Sequence, residues 1–178
     1  MTHTLLVALL LAASGASAQT GPYAGQEQRP IKALSPGEVS GLAQGQGLGF
    51  AKAAELNGYP GPMHVLELAR RLDLSAEQRS ASEKLMAEHK ARARELGAQL
   101  LDAERALDAL FAQRRADAGA VDAATRRIGE LQAALRAEHL KTHLSQTALL
   151  DAGQIERYQV LRGYAGGHGD QRGHDHKH

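Results

Sequence analysis

Histidines carry the clearest chemical possibilities in this sequence, because the 178-residue chain has nine of them and no cysteine. His139 and His143 are four residues apart, which places both imidazoles on one face of a helix. Two imidazoles at that spacing can bind one Zn, Ni, Co or Cu ion. Leu140 stands where a metalloprotease helix of the His-Glu-x-x-His type has its general base. The pair therefore predicts a metal site without hydrolytic chemistry.

The same pair also has a structural interpretation. His139 continues an apolar stripe through Leu131 and Leu135, so it could be a partly buried polar residue with His143 at the edge of that stripe. Two further histidines, His64 and His89, could complete a metal site or could be structural or exposed. The sequence leaves these alternatives open.

A second group of histidines lies at the C-terminus, in a segment rich in glycine. Its potential ligands are His168, His174, His176 and His178. Residues 164–178 are predicted to be a disordered tail, and closely spaced histidines on such a chain bind borderline metals loosely. The alternative is a solvated tail with no role in metal binding.

Composition excludes several other functions. The chain has 21 Lys and Arg against 20 Asp and Glu, so no strongly basic surface for nucleic acid is expected. Aromatic residues are only 3% of the chain, which argues against base-stacking surfaces. The lack of cysteine excludes disulfides and thiol chemistry. Since no nucleophile–base pair, carboxylate pair or phosphate-binding loop stands out, we expect a binding protein and not an enzyme.

The N-terminus predicts export. Residues 5–13 are an unbroken apolar run, and Ala16-Ser17-Ala18 supplies the small side chains of a signal-peptidase site. Residues 1–18 are therefore predicted to be a signal peptide, with Gln19 as the first mature residue. The segment before the apolar run has no Lys or Arg, so an uncleaved anchor is the alternative. No later run approaches the roughly 20 apolar residues of a transmembrane helix.

Helical periodicity organises the remainder of the chain. Residues 19–35 predict a mobile arm that contributes little to the core, and residues 36–163 predict a helical domain. Ser35-Pro36 predicts the start of a helix that runs to about Leu56. Its glycines recur every four residues, at Gly37, Gly41, Gly45 and Gly49. A loop over 45–49 is the alternative, because each interior glycine costs about 1 kcal/mol in a helix.

After a break at 57–62, a short helix is expected from Pro62 to about Leu72. Apolar residues then recur every three or four positions in a long helix from Ser75 and in another that ends near Leu150. A turn at 116–120 separates them, and a last short helix covers 151–162. The fold prediction is all-α: a long antiparallel helical hairpin with short flanking helices. Two single apolar stripes need the short helices or a second chain to cover them, so we predict a homodimer.

Two similar motifs mark the start of the first long helix and the end of the second. Their residues are Leu74, Ser75 and Gln78 in the first motif, and Leu150, Asp151 and Gln154 in the second. Each predicts a capping box, in which the side chain of the capping residue accepts an amide hydrogen bond and the glutamine reaches back to the cap. The preceding leucine can act as a hydrophobic staple.

On these motifs the sequence resembles the Spy/CpxP family of bacterial periplasmic proteins, which has two Leu-Thr-x-x-Gln motifs around a helical hairpin. The resemblance covers Pro62 to Tyr164, with Ser75 and Asp151 in place of the usual threonines. It implies a cradle-shaped antiparallel homodimer in the periplasm. The family includes ATP-independent chaperones, regulators of envelope-stress kinases, and zinc, nickel or cobalt binders involved in heavy-metal resistance.

The functional hypothesis is therefore a periplasmic envelope-stress protein that holds unfolded client proteins and binds metal through its histidines. Exposed arginines could supply charged contacts to clients: Arg92, Arg94, Arg114, Arg115, Arg126 and Arg127. The alternative is a metal sensor that alters its contact with a membrane kinase or a sigma-factor system.

Overall fold

The computed structural model describes residues 21–165, and that part of the chain is helical and contains no β-strand. Six helices follow one another: α1 (Pro36–Gln44), α2 (Lys52–Glu55), α3 (Pro62–Glu67), α4 (Ala76–Ala112), α5 (Ala118–Ala148) and α6 (Ala152–Leu161). The predicted all-α fold, with a long helix pair and short flanking helices, is confirmed. The predicted signal peptide and nearly all of the predicted tail lie outside the described residues.

Helices α4 and α5 form the antiparallel hairpin. Contacts pair the beginning of α4 with the end of α5: Gln78 bonds the carbonyl of Leu149, His89 bonds Glu138, and Arg127 bonds Gln99 nearer the turn. With 37 residues, α4 is about 55 Å long. The main core lies between the two helices and includes Leu96, Leu100, Leu131 and Leu135.

The glycine-containing segment departs from the prediction of one helix to Leu56. Helix α1 ends at Gln44, because Gly45 takes a left-handed conformation at φ 65° and caps it. Gly49 also has a positive φ, of 81°, so the loop alternative for 45–49 is the correct one. Gly41 lets the chain fold back on itself: a Cβ there would lie 2.6 Å from a methyl carbon of Leu48.

Helix α1 packs on α4 through a glycine that sequence analysis did not single out. A Cβ at Gly97, in the middle of α4, would overlap the carbonyl oxygen of Leu42. The N-terminal arm also differs from expectation. Ile31 is only 2% exposed within the main core, and Lys32 pairs with Asp108 at 3.0 Å. Burial of Ile31, packing of Leu34 on the same core and the Lys32 pair together attach the end of the arm to the hairpin.

The short helices α3 and α6 close the other end of the hairpin. Val65, Leu72 and Tyr158 form a second core cluster there, with Leu74 and Leu150 packed against it. Helix α3 ends at Glu67, before the predicted Leu72, and the chain continues to α4 through turns. Leu74 and Leu150 therefore anchor the starts of α4 and α6 to this cluster, and their role as hydrophobic staples stays a prediction.

Both predicted capping boxes are present. The Ser75 hydroxyl accepts from the Gln78 amide at 3.1 Å, and Gln78 Oε1 accepts from the Ser75 amide at 3.0 Å. Asp151 and Gln154 make the equivalent bonds at 2.7 and 2.9 Å. Asp151 therefore replaces the hydroxyl of a Ser or Thr cap without loss of the capping function.

The two glutamines also bond one another. Gln78 Nε2 donates to Gln154 Oε1 at 2.8 Å, and Gln154 Nε2 donates to Gln78 Oε1 at 2.9 Å. The second hydrogen of each amide goes to a backbone carbonyl, that of Leu149 for Gln78 and that of Leu72 for Gln154. This reciprocal amide pair joins the starts of α4 and α6 and leaves both side chains fully bonded.

Candidate metal-binding site

Two histidines meet across the α4–α5 seam. His89 on α4 and His139 on α5 both occupy the facing apolar stripes of the hairpin, and both are buried. Their ring centroids are 4.5 Å apart, with the rings at 74° in an edge-to-face arrangement. The antiparallel register of the hairpin places them opposite one another.

The orientation of His89 is set by two residues of α5. Its Nδ1 lies 3.1 Å from Glu138 Oε1 and 2.9 Å from Thr142 Oγ1. The Thr142 hydroxyl donates to the backbone carbonyl of Glu138 at 2.9 Å, so its oxygen is free to accept. Nδ1 of His89 therefore carries a proton and donates toward these oxygens. A carboxylate that orients a histidine in this way is typical of the outer sphere of a metal site.

His139 is 4% exposed and is packed between His89 and Phe50, whose ring stacks at 5.6 Å. Its Nε2 is buried and has no hydrogen-bond partner among residues 21–165. Burial, reinforced by the nearby charge that His89 can carry, lowers the pKa of His139 to about 4. His139 is therefore neutral at pH 7, the form that binds metals.

His143, the other member of the predicted pair, has different contacts. Its Nδ1 donates to the carbonyl of Tyr59 at 2.7 Å and lies 3.7 Å from a carboxylate oxygen of Glu55. The ring also packs on Gly61, where a Cβ would be 2.7 Å from Nε2. His143 thereby attaches the 57–61 turn to α5.

Glu55 links this region to α6. One of its carboxylate oxygens accepts from the Tyr158 hydroxyl and lies 3.5 Å from Arg162 Nε. Burial, with the bond to Glu55, raises the pKa of Tyr158, so the phenol remains a donor. One carboxylate oxygen of Glu55 is therefore bonded, whereas the other is buried and has no hydrogen-bond partner among residues 21–165.

All four histidines of the described residues line one cavity of about 650 Å³. They come from three regions of the chain: His64 from α3, His89 from α4, and His139 and His143 from α5. The glycine-containing loop 44–49 forms another wall, and Met63 and Met86 supply thioether groups. The cationic side chains that line the cavity are Lys52, Lys90 and Arg94.

The structure thus brings the predicted His139 and His143 into one cavity, where His89 is the closer neighbour of His139. Among residues 21–165, no three of the His, Asp and Glu side chains are arranged to hold an ion together. Sharing of one ion by His139 and His143 stays a prediction. The predicted tail ligands His168, His174, His176 and His178 lie outside the described residues.

The His89–His139 contact and Met86 were not identified as a site from sequence. The feature of the sequence that indicates this contact is position: His89 occurs in the apolar stripe of α4, and His139 occurs in that of α5. A polar residue in each facing stripe indicates a pair across the seam, but only the hairpin register establishes which residues meet.

The predicted client-binding arginines lie along the hairpin and its turn, and one of them, Arg94, also lines the cavity. All six are exposed: Arg92, Arg94, Arg114, Arg115, Arg126 and Arg127. Several have partners on the surface, such as Arg92 with Glu95 at 2.7 Å. Exposed pairs of this kind contribute about 0–1 kcal/mol each, so stability does not account for so many arginines.

A helical hairpin closed by two capping motifs, with a histidine-lined cavity at its seam, defines a class of all-α proteins. The family model described as heavy-metal resistance matches residues 2–157. The chain belongs to this heavy-metal resistance family, the Spy/CpxP-like helical proteins, whose members are typically periplasmic. No curated protein and no solved structure matches the chain. Within residues 21–165, none of the helices has the length and apolar character needed to cross a bilayer.

Proposed function

We propose that this protein is exported to the periplasm, loses residues 1–18 by cleavage after Ala18, and binds a heavy-metal ion in the histidine-lined cavity. The family supports a role in heavy-metal resistance. The short apolar run at 5–13 and the small residues at 16–18 support export and cleavage. Binding, and not catalysis, is the proposed activity.

The observation that carries the proposal is the convergence of all four described histidines on one cavity. Only His139 and His143 are neighbours along one helix, while His64 and His89 come from other helices. Imidazole is the side chain that Zn, Ni, Co and Cu ions share as a ligand. The buried Nε2 of His139 has no hydrogen-bond partner in the described part of the chain. An unsatisfied buried nitrogen is costly, and a metal ion would satisfy it.

The surrounding residues fit a bound ion. His89 and His139 would hold it, and the ion would act there as a Lewis acid bound by neutral nitrogen ligands. Glu138 and Thr142 orient the His89 ring, and Phe50 excludes water from His139. These contacts exist without metal, so the His89 ring is already held in one orientation.

Equilibrium dialysis of the full mature chain against Zn, Ni, Co and Cu tests the proposal. A double His89→Asn, His139→Leu variant removes the cavity nitrogens, and a fourfold His→Ser variant removes those at 168, 174, 176 and 178. We expect one ion per chain to be lost in the first variant and retained in the second. Equal binding by the wild type and the cavity variant would refute the cavity site.

A metal sensor that contacts a membrane kinase or a sigma-factor system would use the same cavity. A sensor would differ from a simple metal-binding protein in that metal binding changes its surface structure, in particular that of loop 44–49. Amide hydrogen exchange with and without metal would report such a change. Equal protection of this loop in the two states would argue against the sensor role.

ATP-independent binding of unfolded clients is a second candidate function, favoured by the large apolar side chains on the surface. These are Tyr23, Leu48, Leu56, Tyr59, Met63, Phe111, Leu144 and Val160. Together with the exposed arginines they offer the mixed apolar and cationic surface that unfolded chains bind. An aggregation assay with a denatured client at equimolar protein should show protection, and no protection would exclude this role.

The proposed assembly is a homodimer, because the exposed apolar residues include Phe111 at the end of α4. Sedimentation at micromolar concentration should give twice the mass of the mature chain. A monomer at this concentration would contradict the dimer.

A further inference from the structure

We propose that the cavity site prefers monovalent copper, Cu(I), with the imidazoles of His89 and His139 and the thioether of Met86 as its ligands. This inference rests on the proposed metal-binding function and adds to it the identity of the ion. It is carried by three observations on the same cavity: the types of donor, the charges around them, and the lack of a convergent carboxylate.

The first observation is the pairing of imidazole with thioether. Met86 precedes His89 by three residues on α4, so the two side chains project from the same helix face, and both line the cavity with His139. Met86 is partly buried, whereas Met63, the other methionine of the cavity, is 49% exposed. Thioethers are soft ligands that select Cu(I) over Zn, Ni and Co.

The second observation is the charge of the cavity. Lys52, Lys90 and Arg94 line it, and among residues 21–165 the only acidic lining residue is Glu55. One oxygen of Glu55 is bonded to Tyr158 and lies 3.5 Å from Arg162 Nε, and its single charge is outnumbered by the three cationic side chains. A cationic environment repels a divalent ion about twice as strongly as a monovalent one. The charges therefore favour a singly charged metal.

The third observation concerns coordination number. No three His, Asp or Glu side chains among residues 21–165 are arranged to hold one ion, which disfavours the tetrahedral or octahedral sites of divalent metals. Cu(I) accepts fewer ligands than these divalent metals do. The two imidazoles, whose ring centroids are 4.5 Å apart, and one sulfur would therefore be enough for it. Glu138 does not line the cavity and supports the site only through the Nδ1 of His89.

The experiment uses the full mature chain with His168, His174, His176 and His178 replaced by serine, so that only the cavity remains to bind metal. Cu(I) affinity is measured anaerobically by competition with bicinchoninate, and Zn(II) affinity by competition with a chromogenic zinc chelator. We expect one Cu(I) per chain, bound at least tenfold more tightly than Zn(II). X-ray absorption should show both nitrogen and sulfur neighbours around copper.

Met86→Leu and Met63→Leu form a matched pair within this background. Loss of an orienting partner alone typically weakens metal binding by roughly 10- to 100-fold, so loss of the Met86 sulfur should weaken Cu(I) binding by at least that much. Zn(II) affinity should change less than twofold, and the sulfur signal should disappear. Met63→Leu should retain both the affinity and the signal. Thermal melts establish that each variant is folded.

The outcomes separate the two proposals. If the background protein binds no metal at all, the cavity function itself fails. If it binds Zn(II), Ni(II) or Co(II) as tightly as Cu(I), or binds Cu(I) without a sulfur neighbour, metal binding stands and the copper preference is overturned. Loss of the sulfur signal in Met63→Leu would overturn the assignment of Met86.

Discussion

The reciprocal bonds between Gln78 and Gln154 explain why both motifs end in glutamine when a capping box accepts Glu equally well. Each side chain must accept a hydrogen bond from its own cap and from the other glutamine, and must donate to the other glutamine and to a carbonyl. Only an amide can do all four. A glutamate would keep the cap and lose both donations.

Gln78→Glu should therefore destabilise the protein although it preserves the capping box. The carboxylate would face the Gln154 Oε1 and the Leu149 carbonyl without a proton to share, and an unsatisfied buried group costs about 1–3 kcal/mol. Urea unfolding at pH 7 measures the change. Gln132→Glu, on the exposed side of α5, makes the same charge change as a control and should lie within about 0.5 kcal/mol of wild type. Equal losses in the two variants would show that charge alone is responsible.

His139 should make the stability of the metal-free protein sensitive to acid. Its pKa is about 4 when folded, against an ordinary value of 6.5, so the unfolded chain takes up the proton first as the pH falls. The stabilising contribution of the neutral ring is complete above pH 6.5 and declines between pH 6.5 and 4. Between pH 7 and 4.5, the decline is on the order of 2 kcal/mol.

Chemical denaturation in EDTA at these two pH values tests this expectation. His139→Leu removes the titrating ring and should lose less free energy of unfolding between them than wild type does. His64→Leu, at a half-buried position of α3, is the matched control and should follow the wild type. If the His139 variant has the same pH dependence as wild type, the ring does not titrate as its burial implies.

At the scale of elements, the approach of α1 to α4 depends on Gly97. Replacing an interior helix glycine by alanine usually stabilises a helix by roughly 0.5–1 kcal/mol. At Gly97 the added methyl group would collide with the backbone oxygen of Leu42, so α1 would have to move. Overpacking of this kind typically costs about 1–3 kcal/mol. The substitution Gly97→Ala should therefore destabilise the protein.

Gly129→Ala on α5 provides the comparison, because a Cβ at Gly129 meets no atom within 4 Å. It should stabilise the protein by up to about 1 kcal/mol. Thermal unfolding of the two variants should therefore shift in opposite directions. A shift in the same direction would mean that α1 does not pack closely on α4 in solution.

The elements differ in how far sequence predicts them. Apolar residues recur regularly through α4 and α5, and the caps at Ser75 and Asp151 mark helix starts, so the hairpin and α6 follow from pattern alone. The glycines at 37, 41, 45 and 49 have helical spacing, yet Gly45 and Gly49 take positive φ and end the helix. Spacing contains no information about the sign of φ. The sequence also gives no indication of the role of Gly97, because that role depends on the position of α1.

At the scale of the whole molecule, the candidate site depends on the fold bringing histidines from separate segments into one cavity. The histidines were visible in the sequence, and His139 with His143 was a reasonable pair because a helix sets their spacing. The His89–His139 contact depends on the register of a hairpin with arms of 37 and 31 residues, and the cavity also needs the 44–64 segment to fold back over the seam. Neither property can be obtained from local periodicity.

The cavity and the predicted tail site should differ in how strongly a bound metal ion stabilises the fold. Ligands from α4 and α5 come together only in the folded chain, so an ion bound there stabilises the fold by mass action. At a free concentration one hundred times the Kd, the gain is about 2.7 kcal/mol. Histidines within one short stretch, such as 168–178, are available in the unfolded chain as well, so an ion bound to them should add little to the free energy of unfolding.

Thermal unfolding with Cu(I) added anaerobically should therefore show a higher Tm for wild type and for the fourfold tail variant. The His89→Asn, His139→Leu variant should show none, and a Tm increase that follows the tail histidines instead would move the coupled site out of the cavity.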